Sequence, residues 1–264
     1  MKTTLLVEDR EKIRILKLNR PEKRNALSID LCNQIKHAVV DAEQKAKNED
    51  LIRAIIIRGE GRAFCSGADL SQPVDTTADK SNAGVYSDGF RESLAAMLRA
   101  LCEVELPVIA DIDGPAVGAG MQLSLACDFR LVGERAWFSI PATKLGFALD
   151  SWTIQRAHNL LGGGYARRIL MAAYRLSAVQ AIESGFALEK QTAESSWYFA
   201  QEISSLAPLA IAHHKKMLNN YEDISYNTSI FEPQNSFTQC WQSDDVLEAR
   251  RARQEGRSPV FRRR

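Results

Sequence analysis

The sequence predicts an α/β core followed by an all-helical C-terminal part, and three observations carry that prediction. Strand-like apolar runs alternate with stretches of helical spacing over the first two-thirds of the chain, in strand–strand–helix order. The runs Ala54–Ile57 and Pro107–Ile112 are apolar on both faces, as buried parallel strands are. From about residue 193 onward the pattern is almost wholly helical, with Pro208 opening one helix.

The elements follow in order. Residues 3–9 and 12–18 carry apolar side chains around the turn-like Asp9–Glu11 and predict an opening hairpin. Asn19–Leu27 is a polar, basic loop that Pro21 should keep out of any helix. Ser28 has the chemistry of an N-cap, and Leu31, Ile35, Val39, Ala42 and Ala46 recur behind it at helical spacing to about Lys47. After the strand at Ala54–Ile57 comes a small-residue turn, GEGRAFCSGADL, over Gly59–Leu70. Residues 71–89 form a polar stretch without periodicity, longer than the ~15 residues at which a loop in a compact domain is functional or mobile. Phe90, Leu94, Met97, Leu98 and Leu101 mark a helix. The strand Pro107–Ile112 then leads into DGPAVGAGMQLSLACD, Asp113–Asp128, whose helix begins near Gly118 and ends at about Cys127. Strands at Phe129–Val132 and Trp137–Ile140 are followed by helices around 151–161, 164–172 and 177–184, with Ser177 as a cap and Gly185 as a stop.

Composition bounds the function. A chain of 264 residues is ample for a real core, and 45% hydrophobic with 25% charged residues is ordinary globular usage. The net charge of +1 argues against a nucleic-acid or membrane-surface partner, which would need a basic field. Arg262–Arg264 read as a solvated tail. Five widely spread cysteines without CxxC spacing predict reduced thiols and no zinc site, hence a cytoplasmic chain with no metal. No apolar run reaches the ~18 residues of a membrane span, and no signal peptide is apparent. His37, His158, His213 and His214 lack ligand spacing, and Cys65 reads as a packing thiol without a basic partner. GPAVGAG is not GxGxxG, so a nicotinamide cofactor is not expected.

The chemistry concentrates in two turns, Gly67-Ala68-Asp69 and Gly118-Ala119-Gly120. Each follows a buried strand and offers a backbone N–H where something helical begins, the arrangement that receives a negative oxygen. Two such donors aimed at one point would form an oxyanion hole.

NRPEKRNALS, AFCSGADL, DGPAVGAGMQLSLACDFRL and the tail DDVLEARRARQEGRSPVF resemble the crotonase (enoyl-CoA hydratase/isomerase) superfamily over essentially the whole chain. The resemblance implies a spiral of strand–strand–helix units over 1–195, and a helical region over 196–264 serving a homotrimer or dimer of trimers. It implies a coenzyme A thioester as ligand or substrate, with its carbonyl at the backbone N–H groups of Ala68 and Ala119. Arg24, Ala26, Ala68, Asp69 and Leu70 fall where the family contacts CoA; Arg24 is either a phosphate partner or an exposed charge.

Where family hydratases carry two glutamates, this chain has Gln122 and Ala142. Hydration needs a base for the water and an acid for the α-carbon, roles worth roughly 10²–10⁴ each in rate. Gln does not titrate near neutrality and Ala does neither, so ordinary hydration should be lost. One carboxylate stands nearby. Asp150 resembles the proton carrier of the dienoyl-CoA isomerase branch, and desolvation beside Phe147 and Trp152 would raise its pKa; equally, it is a good N-cap for the helix that follows. Two functions stay open. One is a fatty acyl-CoA-binding protein of lipid metabolism, with Gln122, Ala142, Phe147 and Trp152 lining the former reaction centre and residues 71–89 flanking an acyl tunnel. The other is an active enoyl-CoA or dienoyl-CoA isomerase using Asp150, or a weak hydratase.

Overall fold

The computed structural model describes residues 3–70, 88–224 and 242–260. Strands β1 (Leu5–Arg10) and β2 (Ile13–Leu18) pair antiparallel, from Leu5 opposite Leu18 to Arg10 opposite Ile13. Glu11 and Lys12 both take positive φ, the geometry of a tight hairpin turn that follows the strand twist. Helix α1 (Ile29–Glu49) starts at Ser28, whose hydroxyl accepts from the Leu31 N–H, and buries Leu31, Ile35, Val39 and Ala42. Strand β3 (Ala54–Gly59), helix α2 (Asp88–Glu103) and strand β4 (Val108–Ile112) follow. Then come β5 (Pro115–Val117), α3 (Ala119–Ala126), β6 (Phe129–Val132) and β7 (Trp137–Ser139). The remainder is α4 (Ser151–Ala172), β8 (Leu176–Ser177), α5 (Ala178–Glu183), β9 (Leu188–Glu189), α6 (Ser195–Ser204), α7 (Pro208–Ile224) and α8 (Asp244–Gln254).

The strands form two sheets. The larger runs β1-β2-β3-β4-β6-β9, parallel from β2 onward, and the smaller runs β5-β7-β8. β4 and β6 lie in the larger sheet, and β5 and β7, which follow them, lie in the smaller. The expected α/β class and strand–strand–helix units are therefore present. Isolated bridges extend the smaller layer: Cys65 pairs with Ala116, and Leu27 with Ala68.

Two details depart from the sequence reading, the turn at Pro21 and the short strands β5, β8 and β9. Pro21 does not exclude a helix, because it opens the 3-10 turn Pro21–Lys23 at a position where its missing N–H is not needed. The two helices expected over 151–172 are present as the two halves of α4, which break at Gly162, where φ and ψ are not helical. Strands β5, β8 and β9, two or three residues each, are too short to show a period. The polar stretch at 71–89 lies outside the described residues over 71–87, as do Cys240 and Arg262–Arg264.

The main core lies between α1, α2, α3 and one face of the larger sheet. A second cluster, Ile13, Ile15, Ile56, Ile109 and Leu131, is covered on the opposite face by Ala200, Trp197 and Phe199 of α6. Helix α7 is pinned by the buried Lys215, whose ammonium donates to the carbonyls of Leu101 and Leu106 and to Asp128 at 2.8–3.0 Å. No helix among the described residues is long and apolar enough to cross a membrane.

Arg130 fixes the helix that matters most. Its guanidinium donates to the carbonyls of Ser124, Cys127, Asp128 and Phe186 at 2.7–2.9 Å, tying the C-terminal end of α3 to the chain before β9. Each buried carbonyl left without a donor costs about 1–3 kcal/mol. Arg130→Leu is therefore expected to lower stability by roughly 3–5 kcal/mol, read as a reduced urea midpoint at unchanged slope.

Candidate functional site

The smaller sheet explains how the two small-residue turns meet. The Cys65 N–H donates to the Pro115 carbonyl at 3.0 Å, and the Val117 N–H donates to the Cys65 carbonyl at 2.9 Å. These bonds lay the chain after β3 alongside β5, one residue short of each turn. On the other side, the Leu27 N–H donates to Gly67 O and the Asp69 N–H donates to Leu27 O, both at 2.8 Å. In that parallel pairing the Ala68 N–H points away from Leu27. Ala119 is the first residue of α3, where an N–H has no acceptor within the helix.

Glycine is required for this approach. A Cβ on Gly67, which has φ of +104°, would stand 2.9 Å from the Val117 carbonyl oxygen and 3.7 Å from the Ala119 nitrogen. A Cβ on Gly120 would stand 2.2 Å from the Cys65 carbonyl oxygen. The backbones thus touch where side chains would separate them. Ala68 and Ala119 both line one cavity of about 1220 Å³.

The same cavity is lined by Gln122, Ala142, Phe147, Asp150 and Trp152, so the expected reaction-centre residues share one cavity with the two turns. Ala142 begins the 3-10 turn Ala142–Leu145 and is 2% exposed. Asp150 caps α4, its Oδ1 accepting from the Thr153 N–H at 2.9 Å. Its Oδ2 accepts from the Thr153 hydroxyl at 2.8 Å and from Gln122 Nε2 at 3.3 Å. Gln122 Nε2 also donates to Thr153 Oγ1 at 2.7 Å. The expected burial of Asp150 beside Phe147 and Trp152 is not found in the single chain, where the residue is exposed at the N-cap of α4.

The residues expected at the CoA end divide. Ala68 and Leu70 line the cavity; Arg24, Ala26 and Asp69 do not. Arg24 is exposed, and its carbonyl accepts from the Ser66 N–H at 3.0 Å. The Ala26 carbonyl accepts from Arg20 Nη1, and the Asp69 carboxylate, 5% exposed, accepts from Arg20 Nη2, each at 2.6 Å. Arg20 thereby clamps the Asn19–Leu27 loop to the Gly67–Asp69 turn. Arg20 and Thr153 were missed from sequence; each acts through a partner on another segment. Arg99, Lys216 and Arg253, spread over α2, α7 and α8, bring cationic side chains to the cavity, and no local motif announces them.

Burial pushes the thiols of Cys65 and Cys127 up to about 12, in keeping with packing roles. At pH 8 both are expected to stay unlabelled by a thiol reagent in the native protein and to react on unfolding, followed by peptide mass mapping. Among the described residues, no group of three or more His, Cys, Asp or Glu side chains is placed to hold a metal ion.

Residues 8–264 match the family model described as enoyl-CoA hydratase/isomerase. The chain belongs to this family. A "Probable enoyl-CoA hydratase" of Mycobacterium leprae is 38% identical over 251 residues, spanning 95% of this chain and 96% of that protein. A peroxisomal Delta(3,5)-Delta(2,4)-dienoyl-CoA isomerase of Arabidopsis thaliana is 30% identical, over 92% of this chain and 90% of its own. The solved structure of methylmalonyl CoA decarboxylase complexed with 2S-carboxypropyl CoA superposes with a TM-score of 0.82 at 21% identity, covering 99% of both chains. The fold is that of the crotonase superfamily.

Proposed function

We propose that this family member binds fatty acyl-CoA thioesters and has lost ordinary hydratase chemistry, serving to carry, sequester or present acyl-CoA in lipid metabolism. The thioester carbonyl sits at the N–H groups of Ala68 and Ala119, which act as an oxyanion hole. The acyl chain runs along Phe147 and Trp152, and the nucleotide end leaves past Leu70. The observation that carries this reading is the wall at Gln122 and Ala142. The amide Nε2 there is committed to Thr153 and Asp150, and the buried methyl has no proton to give. Neither position can supply the acid and base that hydration needs. A homotrimer or dimer of trimers is supported by α7, where Leu209 and Leu218 stand 82% and 67% exposed.

A second reading has one specific observation behind it. Asp150 lines the cavity and is exposed, so it is placed to move a proton as a dienoyl-type isomerase would. Against it, the carboxylate already accepts from three donors, the Thr153 N–H, the Thr153 hydroxyl and Gln122 Nε2, as a capping group does.

The two readings separate on one protein. Saturated and 2-enoyl-CoAs of several lengths are titrated calorimetrically, and hydration and double-bond migration are then assayed. Tight binding of saturated acyl-CoA without turnover is expected. Turnover that disappears in Asp150→Asn while binding is kept would establish the isomerase instead.

A further inference from the structure

We propose that a second cavity, built on β7 and β8, binds a small amino carboxylate, with its carboxylate on Arg175 and its ammonium on Glu134. The cavity has a volume of about 560 Å³, within the range of small-molecule sites. It shares no lining residue with the acyl-CoA cavity, so the proposal stands apart from the reading above. Strands β7 and β8 pair antiparallel there, with Trp137 opposite Ser177. Ala173, in the left-handed region at φ 49°, ends α4 just before Tyr174 and Arg175, which line the cavity with Trp137. The Arg175 guanidinium carbon lies 3.9 Å from the centre of the Trp137 ring. A guanidinium stacked on an indole keeps its N–H groups free around its edge, where a carboxylate takes two at once. Tyr174 is fixed beside it. The Arg168 guanidinium carbon lies 3.8 Å from the Tyr174 ring centre, and the Tyr174 hydroxyl accepts from Gln180 Nε2 at 2.9 Å.

The polar groups of the lining divide into spent and unspent. Gln180 Oε1 accepts from the Ser177 N–H at 3.1 Å, and the Ser177 hydroxyl accepts from the Gln180 N–H at 3.3 Å. Arg135 donates to Asp113 at 2.8 Å. The Arg175 guanidinium, by contrast, has no hydrogen bond or ion pair with any described residue, and neither has the Glu134 carboxylate. Opposite charges thus share one cavity without closing to the ~4 Å of an ion pair. A lone anion there would meet Glu134, and a lone cation would meet Arg175. A ligand carrying both signs satisfies both groups, since guanidinium only donates and an ionised carboxylate only accepts. Because the two groups stand apart, a short chain must separate the ligand's own charges.

The test follows the indole N–H resonance of Trp137 in the native protein, because a ligand on Arg175 sits against that ring. Free glycine, β-alanine and γ-aminobutyrate vary the spacing between the two charges, while acetate and methylamine offer one charge each. At least one of the amino acids is expected to shift the resonance saturably, with an affinity at least about tenfold above that of acetate or methylamine. Arg175→Gln and Glu134→Gln should each weaken that binding about tenfold or more. Acyl-CoA affinity should stay unchanged in both, because the two side chains are exposed and lie outside the acyl-CoA cavity. The absence of a saturable shift with all three amino acids overturns the proposal, whether or not either variant folds. So does acetate binding as tightly as the best amino acid, and so does binding that survives either substitution.

Discussion

Gln122→Glu combined with Ala142→Glu is expected to raise hydration of a 2-enoyl-CoA by about 10²–10⁴-fold over the parent protein. The gain should fall short of the product of two separate roles, because an acid and a base acting on one water work as a unit. The geometry specifies how the first substitution behaves. A carboxylate at 122 takes the place of an amide nitrogen 3.3 Å from Asp150 Oδ2, so the two acids would share a proton. That proton makes one of the pair a general acid at neutral pH. The residue at 142, which lines the same cavity and is a buried methyl in the native chain, supplies the second group. Loss of the enoyl absorbance is the measurement, made on both single variants and the double. A double variant that still binds acyl-CoA but hydrates no faster than the parent would show that the missing carboxylates are not what silences the site.

The second large effect lies in the backbone. Gly120→Ala would set a Cβ 2.2 Å from the Cys65 carbonyl oxygen and 2.8 Å from Cys65 Cβ, closer than atoms pack. Nothing there is the end of a flexible side chain, so the chain after β3 and the start of α3 must move apart. Overpacking of this kind costs about 1–3 kcal/mol and at times more. The functional loss should be greater than the stability loss suggests, since both N–H groups must reach one oxygen. Acyl-CoA affinity is expected to fall at least about tenfold, with a lowered Tm. Gly164→Ala is the control: nothing lies within 4 Å of the added carbon, so affinity should be kept. Unchanged affinity in Gly120→Ala would remove the oxyanion role from these turns.

Strong acid should open a clasp at the C-terminal end. The Glu248 carboxylate accepts from Arg257 and from the Val260 N–H, and the Arg257 hydrogen bonds foremost hold its pKa down to about 2. A carboxyl depressed in the folded state stabilises above its unfolded pKa and loses that contribution as pH falls through the folded value. The clasp is therefore complete above about pH 4.3 and should open on approach to pH 2. The amide shift of Val260 should report that titration, and Glu248→Gln should abolish it.

Much of the scaffold was legible because it obeys a period. Leu31, Ile35, Val39 and Ala42 lie on the buried face of α1 that their spacing predicts, and the apolar run Val108–Ile112 is a central parallel strand. β5, β8 and β9 were not legible, since two or three residues carry no period and exist only because a neighbour bonds them. The two turns were visible as clusters of small residues, but not their mutual contact. That contact depends on the bridge between Cys65 and Ala116, whose partners are far apart along the chain.

By itself the sequence determined the class, the helices, the family motifs and the chemical poverty of the reaction centre, because residue type fixes what can titrate. Gln122 and Ala142 are inert whatever the fold. Only the tertiary structure decided which way Gln122 faces. Its amide is oriented by Thr153 and Asp150, 31 and 28 residues away, and no local pattern encodes a hydrogen bond between segments that meet only after folding. The same holds for Asp69. From sequence it reads as a ligand contact, and in the fold Arg20, 49 residues earlier, claims its carboxylate to hold the turn in place.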